Sequence, residues 1–193
     1  MSTTTDVELA HVPEILAAPI NDALTTMRTH SPRSSAADAR TVPRVLVVGM
    51  MPDPLEAKAF LDADPAAWWD AIETTLASAF ESLKTAALMA EHGGGRIVLV
   101  ADDAGICGTA HRSAESALGG AAIAMTKSLA REFSPRGVSV NAAAVQSDLL
   151  YGPGAETYRT QVGQLVAFLA DDELAHLTGQ IVPCNNSTIR TRV

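Results

Sequence analysis

TKSLAREFSPRGVSVNAAA, residues Thr126 to Ala144, reads as the end of a helix, a turn and a buried strand. Ala130, Arg131 and Glu132 are good helix formers, Ser134-Pro135-Arg136-Gly137 stops the helix, and the run from Val138 to Ala144 enters a core. Working outward, similar units recur. Arg44-Val-Leu-Val-Val-Gly49 and Arg96-Ile-Val-Leu-Val-Ala101 are apolar runs of the length a strand buried on both faces needs. Pro65 opens a long helix in which Trp69, Ile72, Leu76, Phe80, Leu83 and Ala87 recur at helical spacing, until His92-Gly-Gly-Gly95 ends it. Further helices are expected at 113–133 and about 156–171, and a last strand at Gly179–Pro183. Strands alternating with helices of this length predict a parallel sheet with helices on both faces.

The first 28 residues carry a modest amphipathic signal from Val7 to Leu24, which Pro13 and Pro19 should break into short helical pieces. Residues 29–43 have the Ser, Ala, Pro and charge content of a linker. The expected organisation is therefore residues 1–43 as helical pieces and linker, and 44–193 as one α/β domain.

Composition narrows the classes. The 193 residues are 47% apolar but only 4% aromatic, and 14 basic against 22 acidic residues give a net charge of −8, which argues against nucleic acid and anionic membranes as partners. No apolar run is long enough to span a bilayer, and MSTTTDVELAHV does not read as a secretory signal. Cys107 and Cys184 are isolated and fit no disulfide or metal pattern, so a cytoplasmic protein with reduced thiols is expected.

The stretch from Thr126 resembles the matching segment of short-chain dehydrogenases/reductases (SDRs). Trp68 to Phe80 is similar to that family's fifth helix, with Thr75 at the place of an Asn. Gly95-Arg-Ile-Val-Leu-Val resembles its fifth strand, Arg44–Gly49 its fourth, and Leu177-Thr-Gly-Gln-Ile-Val its last. The implied fold is a truncated Rossmann-like parallel sheet, the counterparts of family strands four to seven, with strands one to three missing from the 43 residues before Arg44.

The resemblance implies a catalytic Ser, Tyr and Lys. Counting back from Thr126, these fall on Asp102, Glu115 and Gly119. No Gly-x-x-x-Gly-x-Gly turn joins a strand to a helix, although such a turn lets backbone approach a pyrophosphate at a helix N-terminus. The Asn-Asn-Ala-Gly after family strand four has become Gly49-Met-Met-Pro52. No cofactor is therefore expected on this chain, and NAD or NADP only in a partner subunit.

Two functions fit these residues. In the first, the chain is an inactive SDR-like subunit that stabilises or regulates an active SDR, meeting it, or a second copy of itself, through helices 65–91 and 113–133. Thr75, Ser78, Ser82, Gly119 and Ala121 would make the contact, with Ile72, Leu76, Phe80 and Leu83 of one helix and Ala122, Met125, Leu129 and Phe133 of the other facing the core. In the second, the chain is an oxidoreductase or acid/base enzyme with a remodelled site using Asp102, His111 and Glu115, a residue set suited to proton transfer. The same carboxylates could instead be solvated groups favoured near a helix N-terminus.

Overall fold

The three central strands set the architecture. In the computed structural model, which describes residues 7–30, 42–52 and 56–185, β2 (Val45–Met50), β3 (Gly95–Asp102) and β4 (Val138–Val145) are buried at every position. Alternate side chains go to opposite faces, as the period of a strand requires. Leu46, Val48, Ile97, Leu99, Val140 and Ala142 join one core, while Val45, Val47, Val98, Val100, Ala143 and Val145 join the other. β5 (Ile181–Cys184) pairs with β4 at one edge, and all pairings are parallel.

The first core is covered by α2 (Pro65–Leu83), α3 (Thr85–Glu91) and α5 (Ser113–Phe133), the second by α1 (Glu14–His30) and α6 (Ala155–Leu169). A four-residue α4 (Ala104–Cys107) follows β3 and packs on α5. The Rossmann-like class expected from the sequence is therefore present, as a sheet of five strands in the order β1-β2-β3-β4-β5.

The extra strand is β1 (Val7–Ala10), which pairs with β2 from Val7 opposite Val45 to Ala10 opposite Val48. This corrects the expected separation of residues 1–43 from the α/β domain. Pro19 does not break α1 either, because Leu16, Ile20 and Leu24 are sunk completely against α6, which outweighs the lost backbone bond. Most of the linker, residues 31–41, lies outside the described residues.

The strands follow one another across the sheet in chain order, so helices on opposite faces make crossovers of opposite hand. The crossovers through α1 and α6 thus oppose those through α2 and α5, and two of the four take the hand that is rare in parallel sheets.

Three packing expectations on α2 need correction. The expected single helix 65–91 ends at Leu83 and restarts at Thr85. Phe80 is 59% exposed, because the buried stripe runs through Ile72, Ala79 and Leu83, and Phe80 sits ~60° from Leu83 around the axis. The same geometry turns Trp69 outward and Trp68 inward, where its indole N–H donates to Ser113 Oγ at 2.9 Å.

Candidate functional site

The sheet ends in a cleft of about 620 Å³ along the C-terminal ends of its strands, the place where parallel α/β sheets hold ligands. Four segments build it. His11–Glu14 follow β1, Gly49, Met51 and Pro52 end and follow β2, Asp102 ends β3, and Ser147 to Tyr151 follow β4. Thr74, Thr75 and Ser78 of α2 and Glu115 of α5 complete the wall.

Glu115 lies in the first turn of α5, where the helix dipole favours a carboxylate, yet it is only 6% exposed. Its Oε1 pairs with Arg112 Nη1 at 3.3 Å, and Arg112 Nη2 reaches Asp148 Oδ1 at 2.9 Å. One guanidinium thus ties the start of α5 to the segment after β4. Asp102 is 5% exposed. Its Oδ1 accepts the Ala104 N–H at 2.8 Å, while its Oδ2 is shut away from solvent with no hydrogen-bond partner. Neither carboxyl group is a solvated surface group.

His111 is exposed, with a left-handed backbone (φ 66°), and lines a separate cavity of about 120 Å³ together with Glu115. The structure therefore brings Asp102 and Glu115 together in one cleft and leaves His111 behind its wall. Tyr158 does not line the cleft: its hydroxyl accepts the Gln146 N–H, donates to the Cys184 carbonyl, and has its pKa raised, first by burial.

The residues expected at a subunit contact are spread between the cleft, the core and half-buried positions. Thr75 and Ser78 line the cleft. Gly119 is buried within the chain, where an added Cβ would stand 2.5 Å from the Asp102 carbonyl oxygen and 2.8 Å from Gly105 Cα. Ser82 and Ala121 are half-buried. Arg112 was legible from the sequence as a cation three residues before Glu115, whereas Asp148, 33 positions beyond Glu115, had no local signal.

Comparison with known proteins fits this frame. A family model described as Enoyl-(Acyl carrier protein) reductase matches residues 44–146, more than half of the chain. The chain belongs to the short-chain dehydrogenase/reductase family. It is 30% identical over 136 residues to 3-oxoacyl-(acyl-carrier-protein) reductase FabG of Salmonella typhimurium, and 32% identical over 136 residues to FabG of Vibrio cholerae; each match covers 61% of this chain and 56% of the relative. The SDR chain described here thus spans about half the length of the curated relatives it matches. A solved structure assigned as a 3-oxoacyl-reductase from Bacillus thuringiensis superposes with a TM-score of 0.74 at 16% identity, over 96% of this chain and 98% of that one, which shows the shared fold.

These relatives overturn the expectation of an inactive SDR-like partner subunit. The FabG proteins it matches are reductases by name, and the family model is that of a reductase. No helix among the described residues is long and apolar enough to cross a membrane.

SDR membership also raises the question of a nicotinamide dinucleotide. The turn after β1 is His11-Val12-Pro13, and Pro13 has no N–H to offer a phosphate. Glu14 sets a carboxylate at the N-terminus of α1, and the His11 carbonyl oxygen lies only 2.0 Å from where a Gly49 Cβ would stand. Backbone and a negative charge occupy the ground where a pyrophosphate would need N–H donors.

Proposed function

We propose that this chain is an SDR-type enzyme of oxidoreductase descent. In this reading its cleft performs acid/base chemistry on a small carbonyl- or hydroxyl-bearing molecule, and Glu115 transfers the proton. The observation that carries the reading is the placement of Glu115: buried, in the wall of the large cleft, and held by Arg112. It stands where the family resemblance puts the proton-donating Tyr. Arg112 acts as a positioning residue, fixing the carboxylate and linking it to Asp148. Asp102 accepts a hydrogen bond from the substrate. His111 serves at most the solvent side of Glu115, across the smaller cavity.

The finer reading belongs to the same proposal. The chain is a shortened SDR in which the Ser, Tyr and Lys positions have become Asp102, Glu115 and Gly119. The direct pairing of β1 with β2 supports an excision between the first and fourth strands of the family, as does the opposed hand of the crossover through α1. The turn after β1 supports a chain that holds no NAD or NADP, so no hydride step is assigned to it.

Proton exchange tests the reading. Small carbonyl compounds of positive, negative and zero charge are incubated with the chain in D2O, and deuterium uptake beside the carbonyl is followed by NMR. Uptake should occur without nicotinamide, and Glu115→Gln should slow it about a hundredfold or more, as expected for loss of a general acid/base.

The FabG relatives favour a second reading, carbonyl reduction with a nicotinamide. Micromolar affinity for NADPH together with NADPH-dependent reduction, and no exchange without it, would establish that reading in place of the first.

A further inference from the structure

The charges of the cleft are unbalanced. Among the described residues, Glu14, Asp102, Glu115 and Asp148 line it against the imidazole of His11 and one guanidinium, Arg112, which is already engaged by Glu115 and Asp148. Asp102 and Glu14 have no cation facing them in that pairing. A carboxylate oxygen withdrawn from both solvent and protein donors is costly, and Asp102 Oδ2 is such an oxygen.

We propose that the cleft is built for a small organic cation bearing a primary ammonium group, which Asp102 receives at the floor and Glu14 at the rim. The inference rests on the reading of this cleft as the working site, and names the substrate class. An ammonium matches the need on three counts. It supplies up to three N–H donors, where a quaternary ammonium supplies none. Its charge offsets the acidic excess in a cleft where attraction is stronger than in bulk water. Its alkyl portion finds apolar wall at Val12, Ile15, Met51 and Leu150.

Other ligand classes fit less well. Phosphates and carboxylates meet like charge beside Pro13 and Glu14, with Arg112 and the imidazole of His11 to answer them among the described residues. Among the described residues no group of three or more His, Cys, Asp or Glu is arranged to hold a metal ion. The volume, about 620 Å³, suits a small molecule with a short chain.

The test is calorimetric titration of the full chain at pH 7 and low salt. The probes are 1,4-diaminobutane, tetramethylammonium, butyrate and inorganic phosphate. The diamine should bind at least tenfold more tightly than the other three. Asp102→Asn, which can keep the bond from the Ala104 N–H, should weaken the diamine at least tenfold. Should that variant fail to fold, Glu14→Gln at the exposed rim should weaken it about threefold while lowering stability by no more than the small loss that removing a carboxylate from a helix N-terminus brings.

Equal diamine affinity in wild type and both variants would mean adhesion to an acidic surface, and overturns the proposal. So would equal binding of tetramethylammonium, or tighter binding of phosphate or butyrate. The titration involves no turnover, so it separates from the exchange assay: diamine binding without deuterium uptake in any carbonyl compound defeats the acid/base reading and leaves the ligand class standing.

Discussion

The two faces of the sheet are held by different means. On the α2/α3/α5 face small residues dominate, with Ala79, Ala86, Ala122 and Ala130 packed against the strands and Gly119 on Gly105. On the α1/α6 face large aliphatics dominate, with Leu16, Ile20 and Leu24 of α1 against Val162 and Val166 of α6. That second face includes the one place where an N-terminal segment outside the expected domain carries the core. Helical spacing located the first face, although it placed Trp69 and Phe80 wrongly on it, but on the second face tertiary burial overrides the local signals of Pro13 and Pro19.

The difference is broken most directly at Ile20, which is fully buried between α1 and α6. Ile20→Ala should cost ~2–5 kcal/mol, the range for removing a large aliphatic from a packed core. The loss should appear as one lowered cooperative transition of the whole chain in chemical denaturation followed by circular dichroism. If residues 7–30 were instead a separate unit, the main transition would not move. Gly163→Ala probes the same contact, because its Cβ would fall 2.4 Å from the Pro19 carbonyl oxygen and push α1 outward.

How much of this was legible follows from particular residues. The strands β2, β3 and β4 were readable because both faces are buried, so each is a continuous apolar run. Helix α5 was readable to the residue, bounded by Ser113 and the Ser134–Gly137 turn. Strand β1 was not, since four residues, VELA, have no periodicity to distinguish them and gain their strand state only from pairing with β2. The inward turn of Trp68 rather than Trp69 depends on the rotation of α2 about its axis, which the serine at position 113 helps to fix. In the candidate site, Asp102 and Glu115 were found through their place in the family pattern. The cleft residues Glu14 and Asp148 were not, as they arrive from opposite ends of the chain.

A second contrast between the faces lies in two adjacent carboxyl groups. Asp102 lines the cleft, whereas Asp103 is buried in contact with the Asn185 side chain near Tyr158. Burial, then the charges of Asp102 and Asp148, push the Asp103 pKa up to about 6 despite the hydrogen bond from Asn185. In the unfolded chain Asp103 regains an ordinary carboxylate pKa, so between about pH 4 and 6 the folded state binds the extra proton. Stability must then fall as pH rises through that window and stay lower above it, by up to ~3 kcal/mol from this group. Asp103→Asn should remove that share of the slope in urea denaturation run from pH 4.5 to 7.5. An unchanged slope would show that other carboxylates govern the acid range.

The smallest effect sharpens the contrast within a single helix. Gly119 and Gly120 are neighbours in α5 with opposite surroundings. An added Cβ at Gly119 meets backbone on all sides, at 2.5 Å from the Asp102 carbonyl oxygen and 2.8 Å from Gly105, none of which can swing away. At Gly120 it meets nothing within 4 Å. Gly119→Ala should therefore destabilise by ~1–3 kcal/mol through overpacking. Gly120→Ala should stabilise by ~0.5–1 kcal/mol, because alanine loses less backbone freedom in a helix. Thermal denaturation of both variants reads the signs directly. The site adds a second readout: Gly119 supports the backbone of Asp102, so Gly119→Ala should also weaken diamine binding while Gly120→Ala leaves it unchanged. Equal effects of the two alanines on stability would mean that α5 is not seated on Gly105, and that the floor of the cleft is set by something other than this glycine contact.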